Sequence, residues 1–119
     1  MKFTTNVKGQ IAFSKTELRA LELGYIPSKP IFDARYDMIL DDSKSLKKIQ
    51  IKYADAKLSD CTGSVMVKLG YEDRTGHLYT YGKNEIDALI VYLPKIDRLC
   101  YVPPEIFVGK VKIHIRYEK

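Results

Sequence analysis

The feature that most restricts how this chain can fold is a segment shaped for one tight reversal. Tyr36 to Leu40 and Leu46 to Tyr53 are rich in strand-forming residues, and they flank the polar stretch Asp41-Asp42-Ser43-Lys44. Two such runs joined by about five polar residues read as an antiparallel hairpin. If the hairpin is symmetrical about Ser43-Lys44, Asp37 falls opposite Gln50, within about one residue. Cross-strand neighbours stand roughly 4.5–5.5 Å apart at Cβ. Side chains alternate across a strand, so Gln50 and Lys52 share one face while Ile49, Ile51 and Tyr53 share the other.

The rest of the chain supplies elements for that hairpin to pack against. Gly9 to Leu23 reads as a helix whose apolar face is Ile11, Ser14, Leu18 and Leu21, with Phe13 and Ala20 beside it. Gly24 is placed to end it, and Ser28-Lys29-Pro30 breaks the chain. Ser64 to Gly70 alternates as a strand, Asp73 to Gly76 is a loop, and His77 to Tyr81 is a short strand. Asp87 to Tyr92 is almost continuously apolar, the pattern of a buried strand. Arg98 to Val102 is another strand, and Pro103-Pro104-Glu105 opens a short helix. The last strand, Lys112 to Tyr117, places Lys112, His114 and Arg116 on one face. One helix followed mostly by strands predicts an α/β fold with a central sheet.

At 119 residues, 45% of them hydrophobic, the chain is expected to form one domain, residues 1–119, with a real core. Cys61 and Cys100 lack metal-ligand spacing and read as free thiols of a reducing cytosol. No apolar run approaches the ~20 residues of a membrane span, and Met1-Lys2-Phe3-Thr4 starts no signal peptide. The expected setting is cytoplasmic, with no membrane partner. The net charge of +5 suits a polyanion, although many basic domains bind none.

The hairpin residues suggest a chemistry. The Asp37 carboxylate, the Gln50 amide oxygen and the Ile51 carbonyl are hard oxygen donors that can share one Mg²⁺. Lys52 would orient or help deprotonate an attacking water and offset charge on a phosphorane-like transition state. The same residues also suit an ordinary strand edge: a solvated Asp37 beside Arg35, and Gln50 and Lys52 as a polar face like that of Lys47 and Lys48.

A resemblance favours the first reading. Lys8-Gly9, a helix ending at Gly24-Tyr25, Pro30, Arg35-Tyr36-Asp37, Gln50-Ile51-Lys52, Tyr81, Ile86 to Tyr92, Tyr101-Val102-Pro103 and Ile113 to Arg116 follow one another in a characteristic order. From about Val7 to Tyr117 the chain resembles the small PD-(D/E)XK endonuclease domain of bacterial group I intron homing endonucleases and related archaeal and phage nucleases. The resemblance implies a restriction-endonuclease-like core, an N-terminal helix packed on a mixed central β-sheet. It also implies Asp37 as metal-binding aspartate, Gln50 in the second acidic position and Lys52 as the motif lysine. The implied activity is site-specific cleavage of double-stranded DNA by a homodimer or homotetramer, with Mg²⁺ or, in its place, Mn²⁺.

One departure stands out. The family usually carries a glutamate on the first helix, where this chain has Phe13. Glu17, one turn on, is the candidate substitute, and Gln10 is the other nearby oxygen donor. Without that acid the fold would also suit a module that binds DNA or RNA without cutting it, and a junction resolvase or repair nuclease would share every site residue. Ser64 to Tyr81, with Tyr71, Tyr79 and Tyr81, is the expected base-reading ribbon. Lys57, Lys68, Arg74 and His77 are the expected phosphate contacts. Asp87 is expected to serve the structure, and Arg35 and Tyr36 to support Asp37 by packing.

Overall fold

The computed structural model describes residues 3–55, 63–82 and 84–117, with residues 71 and 72 as backbone. Helix α1 spans Thr5–Glu22, one turn longer at its start than Gly9 suggested. The Thr4 hydroxyl explains the extension. It accepts from the Val7 backbone N–H at 3.2 Å and so satisfies a donor with no partner inside the helix. At the far end Gly24 adopts φ +84°. The N–H groups of Gly24 and Tyr25 then close onto the Leu21 and Ala20 carbonyls at 3.0 and 2.9 Å, the left-handed stop expected of that glycine.

The buried face of α1 differs from the expected one. It is Ala12, Thr16 and Ala20, whereas Leu18 and Leu21 are 57% and 54% exposed. The sheet beneath presents Met38, Leu40, Ile49, Ile51 and Tyr92. That surface is bulky enough that only small helix residues seat closely against it. Thr16 is tolerated there because its hydroxyl donates to the Ala12 carbonyl at 2.8 Å.

After α1 come strands β1 (Ile26–Ser28), β2 (Met38–Asp41), β3 (Leu46–Tyr53), β4 (Ser64–Lys68), β5 (Tyr71–Glu72), β6 (Leu78–Tyr79), β7 (Ala88–Leu93) and β8 (Arg98–Val102), then the short helix α2 (Pro104–Phe107) and strand β9 (Lys112–Arg116). The main sheet has the order β1-β2-β3-β7-β8. Only β3 and β7 run parallel in it, so the sheet is mixed as expected. Strand β1, not expected from the sequence, ends where the Ser28-Lys29-Pro30 break begins, and Pro27 is accepted because β1 is an edge strand.

Strand β7 has apolar partners on both faces. Ala88 and Tyr92 belong to the core under α1. Leu89, Val91 and Leu93 belong to a second core with Val65, Val67, Phe107 and Ile113. This explains its unbroken apolar run. The second core is covered by a separate ribbon in which β4 pairs with β9, antiparallel. The hairpin β5–β6 forms its own small pair. No helix among the described residues is long and apolar enough to cross a membrane.

Candidate active site

The β2–β3 hairpin has the register read from the sequence. Asp41 pairs with Leu46 and Met38 with Ile49. The connecting loop is held by Asp42, whose carboxylate accepts from the Lys44 and Ser45 N–H groups at 3.0 and 2.9 Å, while Ser43 takes a left-handed φ of 69°. One residue before β2, the Asp37 N–H donates to the Ile49 carbonyl at 2.8 Å. Asp37 thus stays tied to Met38's partner as the strand pairing ends, and its side chain shares a cleft with Gln50.

Here β2 ends while β3 runs on to Tyr53. The N–H and C=O of one strand residue point to the same side, so Ile51 turns both toward the edge that β2 no longer covers. The Asp37 carboxylate accepts the Ile51 N–H through Oδ2 at 2.9 Å, and the Ile51 carbonyl faces that same edge. On the opposite edge Asp87 does equivalent work. Its Oδ2 accepts from the Lys48 N–H at 2.8 Å, just before β7 begins, which is the structural role expected of it. Two aspartates thus fix β3 on either side of Gln50.

Asp37, Gln50 and Ile51 line a cleft of about 350 Å³ together with Gly9, Gln10, Phe13 and Lys29. Helix α1 therefore reaches the site through Gln10 and Phe13. Glu17 does not line this cleft and is exposed, which corrects its assignment as the substitute acid. One turn along, α1 has left the cleft and runs toward the hairpin loop, where Thr16, Ala20 and Leu23 lie near Leu40 and Asp42. The Lys29 ammonium lies 5.3 Å from the centre of the Phe13 ring, so a ring under a cation occupies the place of the usual carboxylate. Lys29 was not singled out in the sequence, because no local pattern shows that the segment before Pro30 folds back to the cleft.

Lys52 lines an adjoining hollow with Tyr53, Asp55, Met66 and Lys68. Burial pushes its ammonium below the usual lysine pKa, and the Asp37 charge opposes that shift. Its Nζ lies 5.7 Å from the centre of the Tyr81 ring. The Arg35 guanidinium lies 4.9 Å from the same ring and pairs with Glu85 at 2.5 Å.

The expected nucleic-acid residues are not gathered in one place. Tyr81 is 7% exposed and packs in the core beneath Lys52, so it is not a base-reading residue. The segment from Ser64 to Tyr81 is not a single ribbon either. Val65 and Val67 are buried and β4 takes β9 as its partner, because their apolar faces complete the second core. Arg74, His77 and Tyr79 are exposed around the β5–β6 turn. There Asp73 accepts from Thr75, His77 and Tyr79 at 2.7–3.1 Å. Lys57 and the Tyr71 side chain lie outside the described residues. Lys68 is exposed beside the Lys52 hollow and pairs directly with Lys112. His114 and Arg116 continue that exposed face. The alternation of the last strand revealed this face, but its partner strand was not legible.

The donors at the cleft suit a hard divalent cation: a carboxylate, amide oxygens and a peptide carbonyl. They include one acid only, and no group of three or more His, Cys, Asp or Glu residues stands together among the described residues. Such a site leaves several coordination positions to water and to substrate phosphate.

A sequence model of the PD-(D/E)XK endonuclease family matches residues 3–119. No curated protein matches the chain. Among solved structures, a bacterial homing endonuclease, I-Ssp6803I, superposes with a TM-score of 0.82 at 26% identity, over 95% of this chain and 78% of that one.

Proposed function

Because the chain belongs to the PD-(D/E)XK endonuclease family, we propose that it is a metal-dependent endonuclease that hydrolyses phosphodiester bonds of double-stranded DNA. The observation that carries this reading is the hairpin register. Asp37, just before β2, shares a cleft with Gln50 where β3 outruns β2, with the Ile51 carbonyl on the same open edge and Lys52 two residues beyond Gln50. Asp37, Gln50 and the Ile51 carbonyl would hold Mg²⁺, with Mn²⁺ as a substitute. When bound, the ion supplies Lewis-acid polarisation of the scissile phosphate.

The chain's own residues do the remaining work. The Asp37 carboxylate is aimed by the Ile51 N–H, so its geometry does not depend on the ion. Lys52, in a partly buried setting, orients the attacking water and offsets the charge that builds on phosphorus. The β4–β9 face, with Lys68 and Lys112, provides phosphate contacts beside the Lys52 hollow. Cutting both strands requires two such sites, which points to a homodimer or homotetramer. The likeness to a homing endonuclease supports a site-specific activity of that kind.

Cleavage of plasmid in Mg²⁺ and Mn²⁺ tests the assignment, with Asp37→Ala and Lys52→Ala beside wild type. Equal cleavage by all three proteins would sink it. The Phe13–Lys29 contact supports one second reading, a module that binds DNA without cutting it. Metal-independent binding by a wild-type protein that cuts nothing in either metal would favour that reading.

A further inference from the structure

Ile31 and Phe32 are 94% and 86% exposed, adjacent to each other in the loop that joins β1 to β2. Both flanks of this loop return to the candidate site, because Lys29 and Asp37 line the same cleft. Chain reach fixes where the two apolar side chains stand. Residue 31 is at most about 7 Å from residue 29, and residue 32 at most about 18 Å from residue 37. Neither residue lines the cleft, but the pair stands close to it, two and three residues from Lys29.

A polymer whose scissile phosphate sits at Asp37 would extend many ångströms beyond the cleft, far enough to meet this pair. A second protein chain seated on Ile31 and Phe32 would obstruct the opening that the substrate uses. The loop's charged residues are Lys29, Asp33, Arg35 and Asp37, which balance, so it carries no net negative charge to repel a duplex. Adjacent bulky apolar side chains beside a phosphate-binding surface are the means by which proteins pry base steps apart.

We propose that Ile31 and Phe32 form a wedge that enters a DNA groove and partly unstacks a base step beside the scissile phosphate. This rests on the endonuclease reading above and adds a means of deforming the substrate. Both side chains are exposed, so replacing them leaves the core intact.

The test uses the full chain in Ca²⁺, with plasmid relaxed by a type IB topoisomerase while the protein is bound. The wild type is expected to lower the linking number of the recovered plasmid. The double variant Ile31→Ser, Phe32→Ser is expected to bind the plasmid, keep its oligomeric state in light scattering and leave the linking number unchanged. Its cleavage rate in Mg²⁺ should fall about tenfold to a hundredfold, as for a misplaced reacting phosphate. A double variant that shifts the linking number as the wild type does would overturn the wedge. So would one that changes oligomeric state, since the pair would then cover a second copy of the chain. If the wild type binds and cuts but never alters topology, the wedge alone fails. If it neither binds nor cuts duplex DNA, the endonuclease reading fails as well.

Discussion

The Lys52 ammonium faces the Tyr81 ring, 5.7 Å from its centre. A ring face attracts a cation most where water is scarce, and Lys52 is partly buried. Tyr81 therefore acts as a positioning residue for Lys52. Tyr81→Phe keeps the ring and should keep activity. Tyr81→Leu should lower kcat about 2- to 30-fold, with a smaller change in KM. Single-turnover cleavage by protein shown to be folded by circular dichroism checks this. Equal loss in both variants would assign the effect to the hydroxyl instead.

Phe13 and Lys29 line the cleft with Asp37, so on the proposed function they are expected to set how tightly a divalent ion is held. Phe13→Glu adds a second carboxylate to the cleft that contains Asp37, which should lower the Mg²⁺ concentration needed for half-maximal cleavage by about tenfold. Lys29 stands over that position and would pair with the new acid, so adding Lys29→Ala should strengthen the effect. A Mg²⁺ titration unchanged in both variants would show that α1 does not contribute to metal binding.

Lys68 and Lys112 are directly opposed on the β4–β9 ribbon. Like charges in that position destabilise a sheet, so the pair is better suited to an anion than to the isolated fold. Replacing both with Ala should leave urea stability unchanged or slightly raised. It should also reduce the slope of log K against log salt by about 0.9 for each DNA phosphate that is no longer neutralised. A slope equal to that of the wild type would remove this face from the DNA path.

The Tyr92 hydroxyl donates to Asp97 at 2.6 Å. Burial, together with that hydrogen bond, pushes its pKa from 10.0 up to about 12. A raised pKa in the folded state gives stability that is fully present below the unfolded value. It is lost as pH climbs from about 10 to about 12. Thermal melts of the wild type should therefore drop across that window, and Tyr92→Phe should flatten the drop. A wild-type profile that stays level from pH 9 to 12 would refute the linkage.

What the sequence disclosed follows the range of the interactions involved. The hairpin register was legible because its turn is specified locally, by Asp42 and the polar residues next to it. The apolar run of β7 and the alternation of β9 were legible because each reflects the number of buried faces on one strand. The partner of β4 was not, since an alternating pattern shows that a face is buried but not against what. The seat of α1 was misjudged toward its large residues, although Ala12, Thr16 and Ala20 fit a surface already filled by the sheet. At the site, strand periodicity put Gln50 and Lys52 on one face and the local turn brought Asp37 beside Gln50, whereas the roles of all three came from the family resemblance. The position of Lys29 and the burial of Tyr81 depend on loops and cores formed by distant segments.

The parallel pairing of β3 with β7 and the closure of β9 onto β4 also bear on the order of assembly. Asp37 and Gln50 meet across a short loop, and hairpins form in roughly 1–10 μs. Lys68 and Lys112 meet only after most of the intervening chain has found its place, a slower step because distant segments must first be brought together. The hairpin contacts are thus local, whereas the ribbon depends on segments far apart in the chain. A chain ended before β9 would carry the hairpin but lack the β4–β9 face proposed to meet DNA.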